Sequence, residues 1–297
     1  MLSADTHLLF KSYLDEELEN GPYEQDYLKL TEWMFRVNRE NANKEDVKIL
    51  FPKSLWVKDY GETQSLFNRI FNAGRVVGNY AIMQDLYTGY VNEKLSEHDQ
   101  RWDTYIQSQI SSVAVRHRVH ELRESLQRFD PHSVLDVACG SGIGAYICAG
   151  YLARCISYVG VDSDKNAVKY CVEQYQYRSS LLRFYQRNLR ELNPETSGTF
   201  DLVWCSGLFD YFSSDIVFMR AAKILLEMSN ATVVIGNMGP ANMTVPMMNL
   251  LGWKLNYRTK NHLKQLAQDI QKKYGTFKTY EVTSDPTGIQ HYLYLYK

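Results

Sequence analysis

The sequence has no excess of charge of either sign: 33 lysines and arginines stand against 34 aspartates and glutamates. Without clustered cations to neutralise phosphates, no nucleic-acid partner is expected. The one local basic group, Arg116, His117 and Arg118 with Arg123, reads as the solvated face of a helix. No run approaches the ~20 apolar residues of a membrane span, so no membrane partner is expected. Residues 1–20 lack the basic, apolar, small-residue order of a secretion signal. Cysteine occurs five times, at Cys139, Cys148, Cys155, Cys171 and Cys205, with no Cys-x-x-Cys pair and no His/Cys grouping at zinc spacing. No metal site is therefore expected. An odd set of free thiols suits a reducing cytoplasm, which is the expected location. Internal repeats and low-complexity tracts are also missing.

Tyrosine is plentiful, at 22 residues. Its apolar ring and polar tip can fill helix interfaces. The same ring can face a cationic ligand, because an aromatic face attracts positive charge. Both readings stand.

Two halves follow different patterns. Residues 1–125 read as helical. Leu8, Leu9, Tyr13 and Leu14 recur at helical spacing, as do Tyr27, Leu30, Met34 and Val37, and then Leu66, Phe67, Ile70 and Phe71. Gly21-Pro22 and Phe51-Pro52 are breaks. Ile106, Ile110, Val113, Val119 and Leu122 share one face of a long helix. Residues 126–297 alternate short β-rich runs with helical stretches. The runs are Ser133–Val137, Ile156–Val161, Leu181–Gln186, Asp201–Cys205 and Thr232–Ile235, with helices near 143–153, 164–176, 213–228 and 259–274. Alternation of this kind predicts a parallel sheet with crossover helices. Phe277–Val282 and Ile289–Tyr296, joined around Asp285, Pro286 and Gly288, predict a closing antiparallel hairpin. The expected architecture is α/β: a Rossmann-like doubly wound sheet of five parallel strands plus that hairpin, preceded by an all-helical domain acting as a lid or substrate domain.

The strongest local signal is Val134-Leu135-Asp136-Val137-Ala138-Cys139-Gly140-Ser141-Gly142-Ile143-Gly144, a buried strand entering a glycine-rich turn before a helix. The glycines let a ligand approach the main chain. Asp136 narrows the ligand class. A phosphate loop wants amides and a cation, whereas a carboxylate beside the loop suits a ligand carrying an ammonium group. Asp162 ends the next strand, 22 residues past Gly140, where an acid meets ribose hydroxyls in this architecture. Two carboxylates at adjacent strand ends thus fit the polar ends of S-adenosylmethionine (SAM), which is the expected cofactor. Gly-Ser-Gly-Ile-Gly lacks the full G-x-G-x-x-G spacing of a dinucleotide site. Asn188 is a candidate for the adenine amine and equally for a helix cap. The expected cofactor set is Asp136, Ala138, Cys139, Gly140, Gly142, Asp162, Ser163, Asn188, Leu189, Ser206 and Gly207.

Asp136 to Gly144, Asp162 and the Phe200–Tyr211 stretch resemble class I SAM-dependent methyltransferases. Cys205-Ser206-Gly207-Leu208-Phe209-Asp210-Tyr211, Gly236-Asn237 and Trp253-Lys254-Leu255-Asn256-Tyr257-Arg258 resemble, more narrowly, the bacterial family of quorum-signal (hydroxy fatty acid) methyl ester synthases. That family carries an N-terminal helical motif of G-Y-A-G-D-Y type. Arg75-Val76-Val77-Gly78-Asn79-Tyr80 occupies its place, with Asn79 for the acid and Arg75 for the first glycine. The resemblance implies methyl transfer to a small molecule in secondary or signal metabolism.

Ligands lie outside the carboxyl ends of such strands, so Ser206–Tyr211 and Gly236–Asn242 are the expected walls of the acceptor site. Met238, Met243, Met247 and Met248 are either its lining or plain core. Asp210 and Tyr211 are candidates to orient an acceptor or a proton, and equally a helix-start acid and a packing ring. Tyr80 on the helical segment and Tyr175 after the second strand are candidates to face the sulfonium. No histidine or glutamate is placed in the site by the sequence. His117, His120 and His132 read as surface or capping residues. The missing base favours a carboxylate acceptor, which needs none, or attack within SAM itself. Three readings therefore remain. One is a small-molecule methyltransferase. Another transfers or cyclises the aminocarboxypropyl group, as nicotianamine and azetidine-carboxylate synthases do. The last is a SAM-binding module without turnover.

Overall fold

The computed structural model describes residues 2–58, 64–74, 77–151 and 157–297. Arg75, Val76, Cys155 and Ile156 lie outside the described residues. In chain order the helices α1 (Ala4–Ser12), α2 (Tyr27–Arg39), α3 (Lys44–Leu50), α4 (Leu66–Asn72), α5 (Tyr80–Thr88), α6 (Glu97–Ser108) and α7 (Ile110–Phe129) come first among the described residues. Then follow β1 (Ser133–Val137), α8 (Ile143–Cys148), β2 (Ser157–Asp162), α9 (Lys165–Gln174), β3 (Leu182–Gln186), α10 (Pro194–Ser197), β4 (Phe200–Cys205), α11 (Asp215–Met228), β5 (Ser229–Met238), α12 (Val245–Leu250), α13 (Lys260–Tyr274), β6 (Thr279–Ser284) and β7 (Gln290–Tyr296). No helix among the described residues is long and apolar enough to cross a membrane.

The chain divides into two compact units. The first takes residues up to Val113 together with Asn242–Lys254, and the second takes Ala114–Ala241 with Leu255–Lys297.

The helical unit has an aromatic core. Phe51 meets Phe10, Phe67 and Trp102 at ring separations of 5.9, 5.5 and 5.3 Å, and Trp102 meets Tyr105 edge-on at 6.0 Å. Tyr13 stacks on Trp33. Part of the tyrosine surplus therefore fills helix interfaces. Leu30, Met34 and Val37 of α2 are buried as their spacing predicts. Leu8 and Leu9 are exposed, at 70% and 51%, while Thr6, Phe10, Tyr13 and Leu14 point inward. The inward stripe there is set by the aromatics, and the leucines flank it. The long helix expected through Ile106 and Leu122 is two helices. Gln109 adopts an extended conformation (φ −63°, ψ 143°) between α6 and α7, and the Ser112 hydroxyl donates to the Ile106 carbonyl at 2.6 Å. With neither glycine nor proline at the break, the apolar spacing runs on almost undisturbed. The segment after β5 joins this unit: α12 packs on α2, Asn249 Nδ2 donates to Asn38 Oδ1 at 3.2 Å, and the Thr244 hydroxyl accepts the Ser111 amide at 3.3 Å.

The second unit is a sheet of order β3-β2-β1-β4-β5-β7-β6. β1 to β5 are parallel, and β7 inserts antiparallel between β5 and β6. The expected Rossmann-like topology is thus observed. α11 and α13 cover one face through Phe218, Leu225, Leu263 and Ile270, packed against Val203, Val233 and Leu293. α7 and α9 cover the other through Leu122, Leu126 and Cys171, packed against Val134, Trp204 and Tyr292. Because all five parallel strands end on one edge, their following loops gather there.

One buried acid holds the helical unit at a point the aromatic core cannot. The Asp103 carboxylate is 2% exposed and accepts the Leu66 and Phe67 amides, at 2.8 and 3.1 Å, at the start of α4. Replacing Asp103 by Ala leaves two buried donors unpaired. We expect a loss of about 1–3 kcal/mol in urea unfolding. An unchanged midpoint would show that water replaces the carboxylate.

Candidate functional site

At the end of β1 the chain makes a tight turn with three left-handed residues, Ala138 (φ 57°), Gly140 (φ 56°) and Gly142 (φ 65°). The turn is tied to β2. The Cys139 amide donates to the Val161 carbonyl at 3.1 Å, and the Gly140 amide donates to Asp162 Oδ2 at 2.9 Å. The second Asp162 oxygen accepts the Asp164 amide at 2.9 Å. The register Val137↔Val161 brings these groups level. Gly142 is required twice over: its φ is positive, and a Cβ there would lie 2.8 Å from Cys171 Sγ. Beneath the turn, Asp136 is buried, and the Tyr158 hydroxyl donates to its Oδ2 at 3.0 Å. Burial pushes the Asp136 carboxyl up to about 7 although the Tyr158 bond opposes this, and the nearby Asp162 charge adds to the rise. Burial raises Asp162 as well, against the amides that bond it.

A cavity of about 800 Å³ opens beside Asp162. Its walls include Ala138, Ser163, Asn188, Leu189, Leu208 and Phe212. Five members of the expected cofactor set, Ala138, Asp162, Ser163, Asn188 and Leu189, therefore share one cavity. Asn188 caps the short turn Leu189–Glu191: its side chain accepts the Arg190 amide at 3.0 Å, and its own amide donates to Glu191. The capping reading is observed, on a residue that also lines the cavity. Asp136, Cys139, Gly140 and Gly142 form the floor of the adjoining turn.

Ser206 and Gly207 follow β4. A Cβ on Gly207 would sit 2.9 Å from Arg118 Nη1, so the absent side chain makes room for a guanidinium. Arg118 is 6% exposed. The solvated-face reading of its cluster fails here, because this residue turns into the protein. Its Nε and Nη2 donate to Gln290 Oε1 at 3.0 and 2.9 Å, and Nη2 donates to Asp210 Oδ2 at 3.2 Å. Asp210 Oδ1 accepts the Met238 amide at 2.7 Å. Burial pushes the Asp210 carboxyl up to about 6, with Arg118 opposing. Asn256 donates twice to the Asp210 carbonyl, from its amide at 2.7 Å and Nδ2 at 3.0 Å. Arg258 binds the Phe209 and Phe212 carbonyls at 3.2 and 2.6 Å and Asn237 Oδ1 at 2.9 Å. The motif pieces near 205–211, 236–237 and 256–258 thus meet in space.

The candidate catalytic residues fall on different elements. Asp210 is 1% exposed and ion-paired, a placement that suits positioning of the loop after β4. Tyr211 follows it, half-buried. Tyr175 ends α9, is 6% exposed, and stacks on Tyr146 at 4.8 Å within the α9-side core. It is not gathered with the strand-end residues. Tyr80 opens α5 in the helical unit, where Asn79 caps the helix by accepting the Ala81 and Ile82 amides. Asn79 thus has a structural task at the position where the motif carries an acid. Met238 ends β5, Met247 and Met248 are buried in α12, and Met243 is exposed. Sequence reasoning missed Tyr158 and Gln290, gave Arg258 only as part of a motif, and read Arg118 as solvent-facing. It read His117 as a surface or capping residue, and in the structure His117 pairs with Asp285 at 2.8 Å.

Residues 134–227 match the family model of a methyltransferase domain. In fold the chain is similar to a possible exported protein of Bordetella parapertussis, with 14% identity over 78% of this chain and 86% of that chain and a TM-score of 0.61. It is also similar to magnesium protoporphyrin IX methyltransferase of Synechocystis with bound SAM (14% identity, 72% and 89% covered, TM-score 0.50). Human N-acetylserotonin methyltransferase in complex with SAM is another such structure (14% identity, 82% and 74% covered, TM-score 0.50). No curated protein matches the sequence. The matched segment holds Asp136, the glycine turn, Asp162, Asn188 and Asp210. A methyltransferase domain uses SAM, so SAM is the cofactor and the chain is a SAM-dependent transferase.

A cationic ligand beside Asp136 favours its ionised form, so binding releases a proton. SAM affinity should therefore rise with pH up to about 7 and level off above, by up to about tenfold per pH unit on the rising limb. Without SAM the sign for stability is the opposite. The raised carboxyl contributes stability below the unfolded value that is lost as pH rises through about 7. Asp136→Asn should accordingly melt higher than the parent at about pH 8 and bind SAM weakly. Calorimetric titration at several pH values checks the first expectation, and a flat affinity would remove Asp136 from the ammonium contact.

Proposed function

We propose that the chain is a methyltransferase that moves the methyl group of SAM to a small molecule, in secondary or signal metabolism and in the cytoplasm. One observation carries this reading: the buried Asp136 and the cavity-lining Asp162 stand at the ends of adjacent strands on either side of the glycine turn. Asp136 would hold the ammonium end and Asp162 the ribose hydroxyls. Asn188, Leu189, Leu208 and Phe212 would enclose the adenine. The cofactor supplies an electrophilic methyl carbon on a sulfonium. The chain supplies position: Arg118, Asp210 and Gln290 stiffen the loop after β4, where a small misplacement of the acceptor would be costly. The helical unit is assigned acceptor selection. Structural neighbours named for protoporphyrin and N-acetylserotonin methylation support a small-molecule acceptor.

Purified protein incubated with SAM and a small-molecule cell filtrate should form S-adenosylhomocysteine only when the filtrate is present. Methylthioadenosine formed from SAM alone, seen by mass spectrometry, would mean attack on the aminobutyryl carbon. Asp162→Ala should weaken SAM binding roughly 10- to 100-fold, the cost of lost hydrogen bonds to a charged group. Unchanged calorimetric affinity would place the ribose elsewhere.

A further inference from the structure

We propose that His117, held by Asp285, is the general base of this site, and that the acceptor therefore offers a hydroxyl rather than a carboxylate. The proposal rests on the methyltransferase reading and deepens it. His117 Nδ1 lies 2.8 Å from Asp285 Oδ2. The His117 side chain is 25% exposed, and that of Asp285 is 1% exposed. Asp285 is not free to swing. Its oxygens accept the Thr287 hydroxyl at 2.7 Å and the Gln290 amide at 3.0 Å. The Asp285 amide in turn donates to the Gln290 carbonyl at 2.9 Å. A carboxylate fixed on Nδ1 puts the proton of a neutral imidazole on that nitrogen and leaves Nε2 as the basic atom.

The pair stands on the edge of the sheet where the parallel strands end. Asp285 lies in the β6–β7 turn, and Gln290 of β7 pairs with Met238, the last residue of β5. α7 ends at Phe129, shortly before β1 begins, so its first turns lie towards the carboxyl edge. Arg118, the next residue after His117, confirms this by bonding Gln290 and Asp210 and by lying against Gly207. The cavity beside Asp162 is walled by residues at the ends of β1 and β2, after β3 and β4, and on α11. The His117–Asp285 pair lies outside that lining, towards β5 and β7, where the proposal places the acceptor. Titratable and charged groups around His117 are Arg116, Arg118, His120 and Glu121 on its own helix, and Asp285 and His291 on the hairpin. His120 is its ring neighbour at 6.0 Å. His291 is a poorer base for the site. It is 6% exposed, lies against Gly239, and is bonded to the Ser284 hydroxyl through Nδ1 at 2.6 Å.

In the step, Nε2 takes the acceptor's O–H proton as the oxygen lone pair forms a bond to the methyl carbon. The carbon–sulfur bond breaks, and its electron pair stays on sulfur, which becomes neutral. The imidazolium then returns its proton to water. Asp285 stabilises that cation and keeps the ring aligned. A carboxylate acceptor would have no use for this pair.

The test uses the full chain, methyl-labelled SAM, and catechol, 4-nitrocatechol and benzoate as probes beside the filtrate. Methyl ethers are expected. His117→Gln should lower kcat on catechol about 100- to 10,000-fold with SAM affinity unchanged, and should remove the acidic limb of the pH–rate profile. It should be much less impaired on 4-nitrocatechol, whose more acidic hydroxyl ionises unaided. Asp285→Asn should fall between parent and His117→Gln. Methyl esters as products, no transfer to any hydroxyl by protein that binds SAM, or an unchanged kcat in His117→Gln would overturn the proposal. So would an equal loss on both catechols, which marks a structural effect. Failure of the parent to bind SAM would sink the underlying methyltransferase reading instead, and this proposal with it.

Discussion

The Asp162 carboxylate holds the Gly140 amide at 2.9 Å, across from one strand to the turn that follows its neighbour. This bond shapes the turn on which the proposed cofactor site rests. Three left-handed residues within five positions are unfavourable for a free chain, and one of them is alanine. They persist because β2 supplies two acceptors at the correct height, the Val161 carbonyl and Asp162. The same carboxylate keeps lone pairs for a ligand beyond those that accept the Gly140 and Asp164 amides. Fixing the turn is the observed use of this side chain, and meeting the ribose is the one proposed for it.

A second buried network stands on the other half of the same edge. Burying the Arg118–Asp210 pair is costly in itself, since both ions lose their water. Gln290, the Met238 amide and the backbone bonds around Asp210 offset that cost. The loop after β4 is therefore tied to α7, β5 and β7, and Arg258 with Asn256 ties it to the segment before α13. Such a loop moves little, which is what alignment of an acceptor with a methyl carbon requires. Asp210 looks catalytic in the sequence because it is an acid beside an expected site. In the structure its carboxylate is buried and bonded to Arg118 and the Met238 amide.

The sheet and its cofactor edge were legible because their signals are local. A strand, a glycine turn and an acid occupy Val134–Gly144 without interruption, and the acid at 162 follows at the length of one crossover. Alternation of β-rich and helical runs then implies the parallel topology. Local signals failed where two phases coexist. Gln109 breaks a helix with no glycine or proline, and Leu8 and Leu9 look like a core stripe that Phe10, Tyr13 and Leu14 supply instead.

The sequence by itself determined the fold class, the cofactor and the two acids at the strand ends, because each is written in residues a few positions apart and governed by backbone geometry. Tertiary structure alone decided which polar side chains are buried and paired. Arg118 reaches Gln290 across 172 positions, and His117 reaches Asp285 across 168. Neither has a periodic or spaced signature, since an ion pair depends on where a helix face meets a hairpin turn. That meeting is set by packing of the whole sheet, and it converts a run of basic residues into one buried guanidinium and one imidazole held by a fixed carboxylate.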